Sequence, residues 1–235
     1  MNNFKNEENM KRKTKRNKVI YTCITSEKDK LLKPTFYNND FDYLCFSNTP
    51  RIQTEPWKII PIELEINKTP RFTARKCKIL YFEYLDPKYQ YSLWVDGNLD
   101  IIDNPMIILD SMIKQNIEFS VSKHPKNRSI YEEIEALKLQ NGRGTTINQL
   151  SNQYNEYKKL NIPPYPVLMS RAVFRIHSDK CKKIMNKWFY HIENYSVRDQ
   201  VSLSVVLNES RIKWSIFSLN LFKKLFRIKK HISCI

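Results

Sequence analysis

Short apolar and β-branched runs alternate along the chain with segments whose apolar residues recur at helical spacing. Continuous apolar runs of this length predict strands that are buried on both faces. They are KVIYTCIT (18–25), FDYLCFSN (41–48), WKIIPIEL (57–64), YQYSLWV (89–95), IEFSVS (117–122) and YPVLMSRAVFRI (165–176). Strands that alternate with helices are typical of one layered α/β domain with a mostly parallel central sheet.

Apolar residues at intervals of three and four predict the helices between these strands. The predicted helices are PRFTARKCKILYFEYL (70–85), 104–115, SIYEEIEALKLQ (129–140), 147–160 and DKCKKIMNKWFYHIENY (179–195). Ser129 followed by Glu132 predicts a capping box at the start of one of them. YSVRDQ (195–200) precedes the apolar run VSLSVVL and predicts the start of a further helix.

At 235 residues, the chain is long enough for a single domain with a sizeable core, predicted at 18–210. A basic N-terminal arm (1–17), expected to be disordered, and a basic amphipathic segment (211–235) flank it. No run approaches the roughly 18 apolar residues of a membrane span, and the N-terminus lacks the apolar centre of a secretory signal. We therefore expect a cytoplasmic protein. The five scattered cysteines form no CxxC pair, which argues against a zinc site or a disulfide framework.

The net charge of +16 is concentrated at the two ends of the chain. Residues 1–18 carry +5 and residues 211–235 carry +7, which together make 12 of the 16 charges. Basic tails are more typical of solvated arms than of specific nucleic-acid sites, so no nucleic-acid partner is expected. In the C-terminal segment, apolar residues at helical spacing predict a basic helix that contacts an anionic membrane. A packed helix preceded by a last strand, IKWSIF, is the alternative.

The stretch YSLWVDGNLDII (91–102) places polar residues where a predicted core strand ends. In open α/β sheets, ligands bind beyond the carboxyl ends of the strands. Asp96, Asn98 and Asp100 point the same way if the chain stays extended, and Gly97 has no side chain to block a ligand. Their oxygen atoms suit Mg²⁺ or Mn²⁺ on a diphosphate. A turn formed by Asp-Gly-Asn is the alternative.

Cationic side chains are candidates for binding that diphosphate. Arg75 and Lys78 lie three residues apart on one predicted helix face, and the alternative is a solvated face. His124 closes a predicted strand, and Pro125 favours an extended backbone there. A histidine at this place can bind a diphosphate, a sugar hydroxyl or a metal, although a structural histidine is the alternative.

Carboxylates and an amide are candidates for holding sugar. Because Glu132 is used by the predicted capping box, Glu133 is free to face the site. Asp199 and Gln200 open a predicted helix and can hold two sugar hydroxyls, or Asp199 can act as a general base. The alternatives are that Asp199 caps the helix and that Arg198 pairs with it.

Four segments resemble a family of glycosyltransferase-like proteins in their order and spacing: PRFTARKCK, LWVDGNLDI, SVSKHPKNRSIYEEIEALK and YSVRDQVSLSVVL. The family includes plant proteins of seed-mucilage and pectin synthesis and bacterial proteins of polysaccharide clusters, and some plant members carry a ceramidase label. The resemblance implies a GT-A type, Rossmann-like nucleotide-sugar-binding fold. Asn98 and Asp100 depart from the family pattern, so only Asp96 carries over as a matched metal-motif position.

The resemblance implies hexosyl transfer from a nucleotide-sugar, expected to be a UDP-sugar, to a saccharide or lipid-linked acceptor in cell-surface polysaccharide synthesis. Mn²⁺ or Mg²⁺ is the expected cofactor, and the inner face of the membrane is the expected location. A non-catalytic module that binds carbohydrate or anionic surfaces is the alternative. The predicted site residues are Asp199 and Glu133 (catalytic), Arg75, Lys78, Asp96, Gly97, His124, Arg198 and Gln200 (donor-binding), and Asp96 and Asp100 (metal).

Overall fold

The computed structural model describes residues 16–25, 30–49 and 54–230, and nine strands lie within these ranges. They are β1 (Lys18–Ile24), β2 (Phe41–Ser47), β3 (Lys58–Pro61), β4 (Tyr91–Val95), β5 (Leu99–Ile101), β6 (Phe119–Lys123), β7 (Leu168–Ile176), β8 (Trp214–Phe217) and β9 (Phe226–Ile228). Six of them lie within or overlap the runs predicted as strands.

Seven strands form the main sheet in the order β3-β2-β1-β4-β7-β6-β8. Four of the six neighbouring pairs are parallel, and β7 runs antiparallel to both β4 and β6. The prediction of an α/β fold with a mostly parallel sheet is confirmed. Because β4 and β6 run in the same direction, the residues that follow them lie at the same edge of the sheet.

Eight α-helices in the described part of the chain connect and cover these strands, together with a short 3-10 helix at Asn141–Arg143. The α-helices are α1 (Pro70–Ile79), α2 (Tyr81–Tyr84), α3 (Met106–Gln115), α4 (Ile130–Lys138), α5 (Ile147–Lys159), α6 (Asp179–Asn194), α7 (Asp199–Asn208) and α8 (Leu219–Leu225). Helix α1 begins as predicted at Pro70, where the Thr69 side chain accepts from the Phe72 amide. The predicted helix 70–85 is divided at Leu80, whose backbone is not helical. The capping box at Ser129 is confirmed.

The two faces of the main sheet bury different helices. Along β4, Trp94 packs on the face covered by α1, α6 and α7, whereas Leu93 and Val95 pack on the face covered by α3 and α8. A third apolar cluster joins α4 and α5 to α7. Helix α7 is therefore buried on nearly all sides. None of the helices in the described ranges is long and apolar enough to cross a membrane.

The C-terminal segment differs from the predicted amphipathic helix. Strand β8 is an edge strand of the main sheet, α8 is only seven residues long, and β9 pairs with β5 in a small antiparallel sheet. The alternative with IKWSIF as a last strand is the one found, and the structural unit continues past the predicted boundary at 210. The predicted N-terminal arm lies outside the described residues, apart from Arg16 and Asn17, as do residues 231–235.

Candidate functional site

Asp96 is the first residue after β4, at the carboxyl end of the parallel strands. Its Oδ1 atom accepts a hydrogen bond of 2.9 Å from Trp94 Nε1 and lies 3.5 Å from Lys78 Nζ. Its backbone amide donates to the Arg171 carbonyl, and its carbonyl accepts from the Leu99 amide in a tight turn. The side chain is 21% exposed, so a ligand in solution can reach this carboxylate.

Lys78 is a completely buried ammonium close to the C-terminus of α1. Its Nζ atom lies 2.6 Å from Asp199 Oδ2, and the rings of Trp94 and Trp188 lie within 6.0 Å of it. Burial lowers the pKa of Lys78, while the carboxylates of Asp199 and Asp96 oppose that shift. The alternative of a solvated helix face is therefore wrong for Lys78, whose charge is balanced inside the protein.

Asp199 is the first residue of α7 and is almost fully buried. Besides Lys78, it accepts a hydrogen bond of 2.8 Å from Ser170 Oγ and lies 3.3 Å from Arg75 Nε. Burial alone raises the pKa of Asp199, but Arg75 and Lys78 outweigh it and hold the pKa well below the ordinary value. The predicted role of Asp199 as a general base stays a prediction. The geometry makes Asp199 the anchor of Lys78 and Arg75.

Two residues of this cluster, Ser170 and Trp188, are not among the site residues predicted from the sequence. Ser170 lies on β7 and Trp188 on α6, where its indole Nε1 donates to the Asp199 carbonyl at 3.0 Å. Both residues lie in segments whose apolar spacing is explained by packing in the core. A serine within an apolar strand run was the single available signal, and it does not distinguish a site residue from a core serine.

The predicted metal pair Asp96 and Asp100 is not brought together. Asp100 is buried, and its oxygens accept from Thr35 N, Thr35 Oγ1 and Arg227 Nη2 at 2.9, 3.0 and 2.7 Å. The oxygen of Asn98 accepts from Arg171 at 3.3 Å. Mg²⁺ takes about six oxygen ligands, usually one or two carboxylates together with waters and substrate phosphates. In the described ranges, no three His, Cys, Asp or Glu residues are grouped to hold a metal, so the predicted ligand pair of Asp96 and Asp100 is not formed.

Gly97 serves packing at this turn. A Cβ added to Gly97 would collide with Cδ1 of Ile24, the last residue of β1. The missing side chain therefore makes room for the end of the Ile24 side chain, and the predicted role of Gly97 in admitting a ligand stays a prediction. The backbone torsion of Gly97 is one that other residues adopt, so space is the reason for glycine here.

His124 and Glu133 make local contacts. His124 follows β6 and its Nδ1 atom lies 2.9 Å from the Lys126 carbonyl, while Glu133 Oε2 lies 3.3 Å from Arg128 on the same segment. Neither of these described side chains bonds to the carboxylates of the site. His124 nevertheless lies at the same sheet edge as Asp96, two strands or about 10 Å away. Glu133 is paired with the partly exposed Arg128, and its catalytic role stays a prediction.

Arg198 and Gln200 flank Asp199 at the start of α7, and both are partly exposed. Arg198 is the N-cap residue, although its side chain makes no capping hydrogen bond. The donor-binding roles of Arg198 and Gln200 stay predictions.

Comparison with known proteins places this site in a family context. Residues 44–231 match the model of the TOD1/MUCI70 glycosyltransferase-like domain. The chain is 24% identical over 172 residues to the probable hexosyltransferase MUCI70 of Arabidopsis thaliana, covering 68% of this chain and 29% of that protein. It is 23% identical over 217 residues to the alkaline ceramidase TOD1 of the same plant, covering 86% of this chain and 46% of that protein. The chain thus spans less than half the length of these curated relatives.

A distant likeness to solved structures accompanies the family match. Core-mannan synthase A of Aspergillus fumigatus, solved in an Mn/GDP form, aligns with 91% of this chain and 75% of its own, at 12% identity and a TM-score of 0.44. Membership rests on the family model, which covers most of the chain. The chain belongs to the TOD1/MUCI70 glycosyltransferase-like domain family.

Proposed function

We propose that this chain is a GT-A-type glycosyltransferase domain. It moves a hexosyl group from a nucleotide-sugar, a UDP-sugar in this proposal, to a saccharide or lipid-linked acceptor in cell-surface polysaccharide synthesis. Family membership supports the reaction class. The observation that carries the proposal is the accessible Asp96 carboxylate, held at the carboxyl end of β4 by Trp94 and Lys78. Ligands of open α/β sheets bind at this place.

In this proposal the buried side chains of the site hold its exposed, ligand-binding side chains in position. Lys78 and Asp199 form the base of the site and join α1, β4 and α7, so that Asp96 stands on rigid elements. Asp96 accepts hydrogen bonds from donor hydroxyls. Arg75, whose side chain is 17% exposed, and Arg198 bind the donor diphosphate. No step is assigned to Mn²⁺ or Mg²⁺, because the predicted ligands Asp96 and Asp100 are not brought together.

The acceptor and the location complete the proposal. Lys223 and Lys224 are exposed on α8, whereas Phe222 and Leu225 are buried against the domain. Contact with an anionic membrane surface would therefore be electrostatic, without insertion of an apolar helix face. Such contact at the inner face of the membrane, in the cytoplasm, suits a lipid-linked acceptor.

A thermal-shift screen tests the proposal. Wild type, Asp96→Ala and Asp110→Ala are heated with UDP, GDP, CMP and their sugar conjugates, with Asp110 as a control because it is exposed on α3. A ligand of the native state at 100 times its Kd stabilises by about 2.7 kcal/mol. We expect one nucleotide class to raise the Tm of wild type and Asp110→Ala but not of Asp96→Ala. Glycan binding without any nucleotide shift would favour a non-catalytic module.

A further inference from the structure

The charged groups at the base of the site balance one another. Asp96 and Asp199 are the two carboxylates, and Lys78 and Arg75 are the two cations that contact them. An anionic ligand that arrives at Asp96 therefore meets a cluster with no net charge. Any net attraction for that ligand has to come from other cations around Asp96.

Arg171 is such a cation. It lies on β7, its carbonyl accepts from the Asp96 amide at 2.9 Å, and its Nη1 atom donates to Asn98 Oδ1 at 3.3 Å. The Arg171 side chain is partly exposed and forms no ion pair with the carboxylates of the described ranges. A guanidinium that contacts a neutral amide keeps its charge and several N–H donors for a ligand.

The same contacts work against a divalent cation at this turn. A metal ion on Asp96 would lie beside the Lys78 ammonium, which is 3.5 Å from Asp96 Oδ1 and is enclosed by Trp94 and Trp188. The neighbouring oxygen of Asn98 already accepts from Arg171, another cation. The positive charge that a bound metal would bring to this turn is therefore supplied by protein side chains.

We propose that Arg171 binds the diphosphate of the donor, and that arginines in this site neutralise the diphosphate without a divalent ion. Arg171 on β7 brings a charge that no carboxylate of the described ranges balances, while Arg75 on α1 offers N–H donors beside Asp199. Guanidinium groups bind phosphate oxygens bidentately. The ligand class is a nucleoside diphosphate with an attached sugar. This inference rests on the proposed function and adds a residue and a metal-independent binding mode to it.

Titration calorimetry with UDP and with inorganic pyrophosphate tests the inference. Each probe is titrated into the full chain in EDTA and in Mn²⁺, using wild type, Arg171→Gln, Arg171→Lys and Arg211→Gln. Arg211 is exposed and precedes β8, so it lies at the opposite edge of the sheet. We expect similar Kd values in EDTA and Mn²⁺, at least tenfold weaker binding for Arg171→Gln, intermediate binding for Arg171→Lys, and no change for Arg211→Gln.

The outcomes separate this inference from the proposed function. Binding of UDP that requires Mn²⁺, or equal affinity in wild type and a folded Arg171→Gln, overturns the inference and leaves the glycosyltransferase proposal standing. Binding of pyrophosphate in EDTA that depends on Arg171, with no gain for UDP, supports the anion site and contradicts the nucleotide-sugar donor. Absence of binding by both probes contradicts both proposals.

Discussion

Lys78 shows how a single buried charge organises the candidate site. Taking an ammonium out of water is costly, and here two carboxylates and two indole rings compensate for the loss of hydration. Such pairs contribute little net stability compared with apolar groups, but removing one partner leaves the other charge buried and unpaired. Lys78 therefore fixes the position of Asp96 and Asp199 more than it adds to the free energy of unfolding.

The replacement Lys78→Met tests that role. We expect it to lower the free energy of unfolding by about 3–5 kcal/mol, because Asp199 stays buried with Arg75 as its remaining cation. Lys187→Met, at an exposed position of α6, is the control and should change it by less than about 0.5 kcal/mol. Urea denaturation measures both. A double variant, Lys78→Met with Asp199→Asn, should lose less than the sum of the single changes.

Two largely buried histidines make stability depend on pH. His177 stacks on Tyr81 and lies 2.7 Å from the Tyr89 carbonyl and 2.8 Å from Ser92 Oγ. Burial lowers the pKa of His177 to about 4, and burial also lowers that of His191 to about 4. Between the unfolded pKa of about 6.5 and the folded pKa, the unfolded chain binds more protons. Stability is therefore lost as pH falls through this window.

We expect each histidine to account for roughly 3 kcal/mol of that loss between pH 6.5 and 4. The variant His177→Gln should flatten the pH dependence, as judged by urea denaturation at pH 7, 6 and 5. Asp199 contributes in a different window, because its depressed pKa matters only below the ordinary aspartate value. Equal stability of the wild-type protein at pH 7 and pH 5 would show that these imidazoles are not buried as neutral groups.

At the scale of elements, the small sheet of β5 and β9 holds the turn that follows Asp96. Asn98 exchanges hydrogen bonds with Lys229 through the Lys229 amide and carbonyl, and Arg227 pairs with Asp100 at 2.7 Å. Strand β9 and Lys229, which lie in the C-terminal part of the chain, thus hold the turn after Asp96 in place. Basic residues of the C-terminal segment therefore have a structural role, whether or not the segment contacts a membrane.

The variant Arg227→Ala tests how much the ion pair between Arg227 and Asp100 stabilises the protein. Asp100 would keep its bonds to Thr35 but lose its cation, and we expect a loss of about 1–3 kcal/mol in the free energy of unfolding. Lys224→Ala, on the exposed side of α8, should have no measurable effect. Guanidinium chloride denaturation compares the two. Equal stability of both variants would mean that the pair at Asp100 is dispensable.

The sequence predicts elements better than it predicts their directions and ends. Apolar runs locate β1, β2 and β4, and the cap at Ser129 locates the start of α4, because burial and capping leave local patterns. The direction of β7 leaves no such pattern, since a buried strand is apolar whether it runs parallel or antiparallel. The segment 214–228 has helical spacing, but pairing with β6 and β5 overrides it at β8 and β9.

At the scale of the whole molecule, the fold brings together residues that are far apart in the chain. Lys78 and Asp199 are 121 positions apart and lie 2.6 Å from each other. The sequence supplies both residues as candidates, Lys78 from the face of one predicted helix and Asp199 from the start of another. It does not show that they bind one another, because a buried lysine is recognisable only from its tertiary partners.

The measurement that tests the central claim most directly is donor turnover. The nucleotide-sugar identified by thermal shift is incubated with wild type, Asp96→Asn and Asp110→Asn, and release of the nucleoside diphosphate is followed by mass spectrometry. We predict release by wild type and Asp110→Asn, and a decrease of at least 100-fold for Asp96→Asn, since the accessible carboxylate at the end of β4 contacts the donor. Equal release by a folded Asp96→Asn would contradict the account and place the reaction elsewhere.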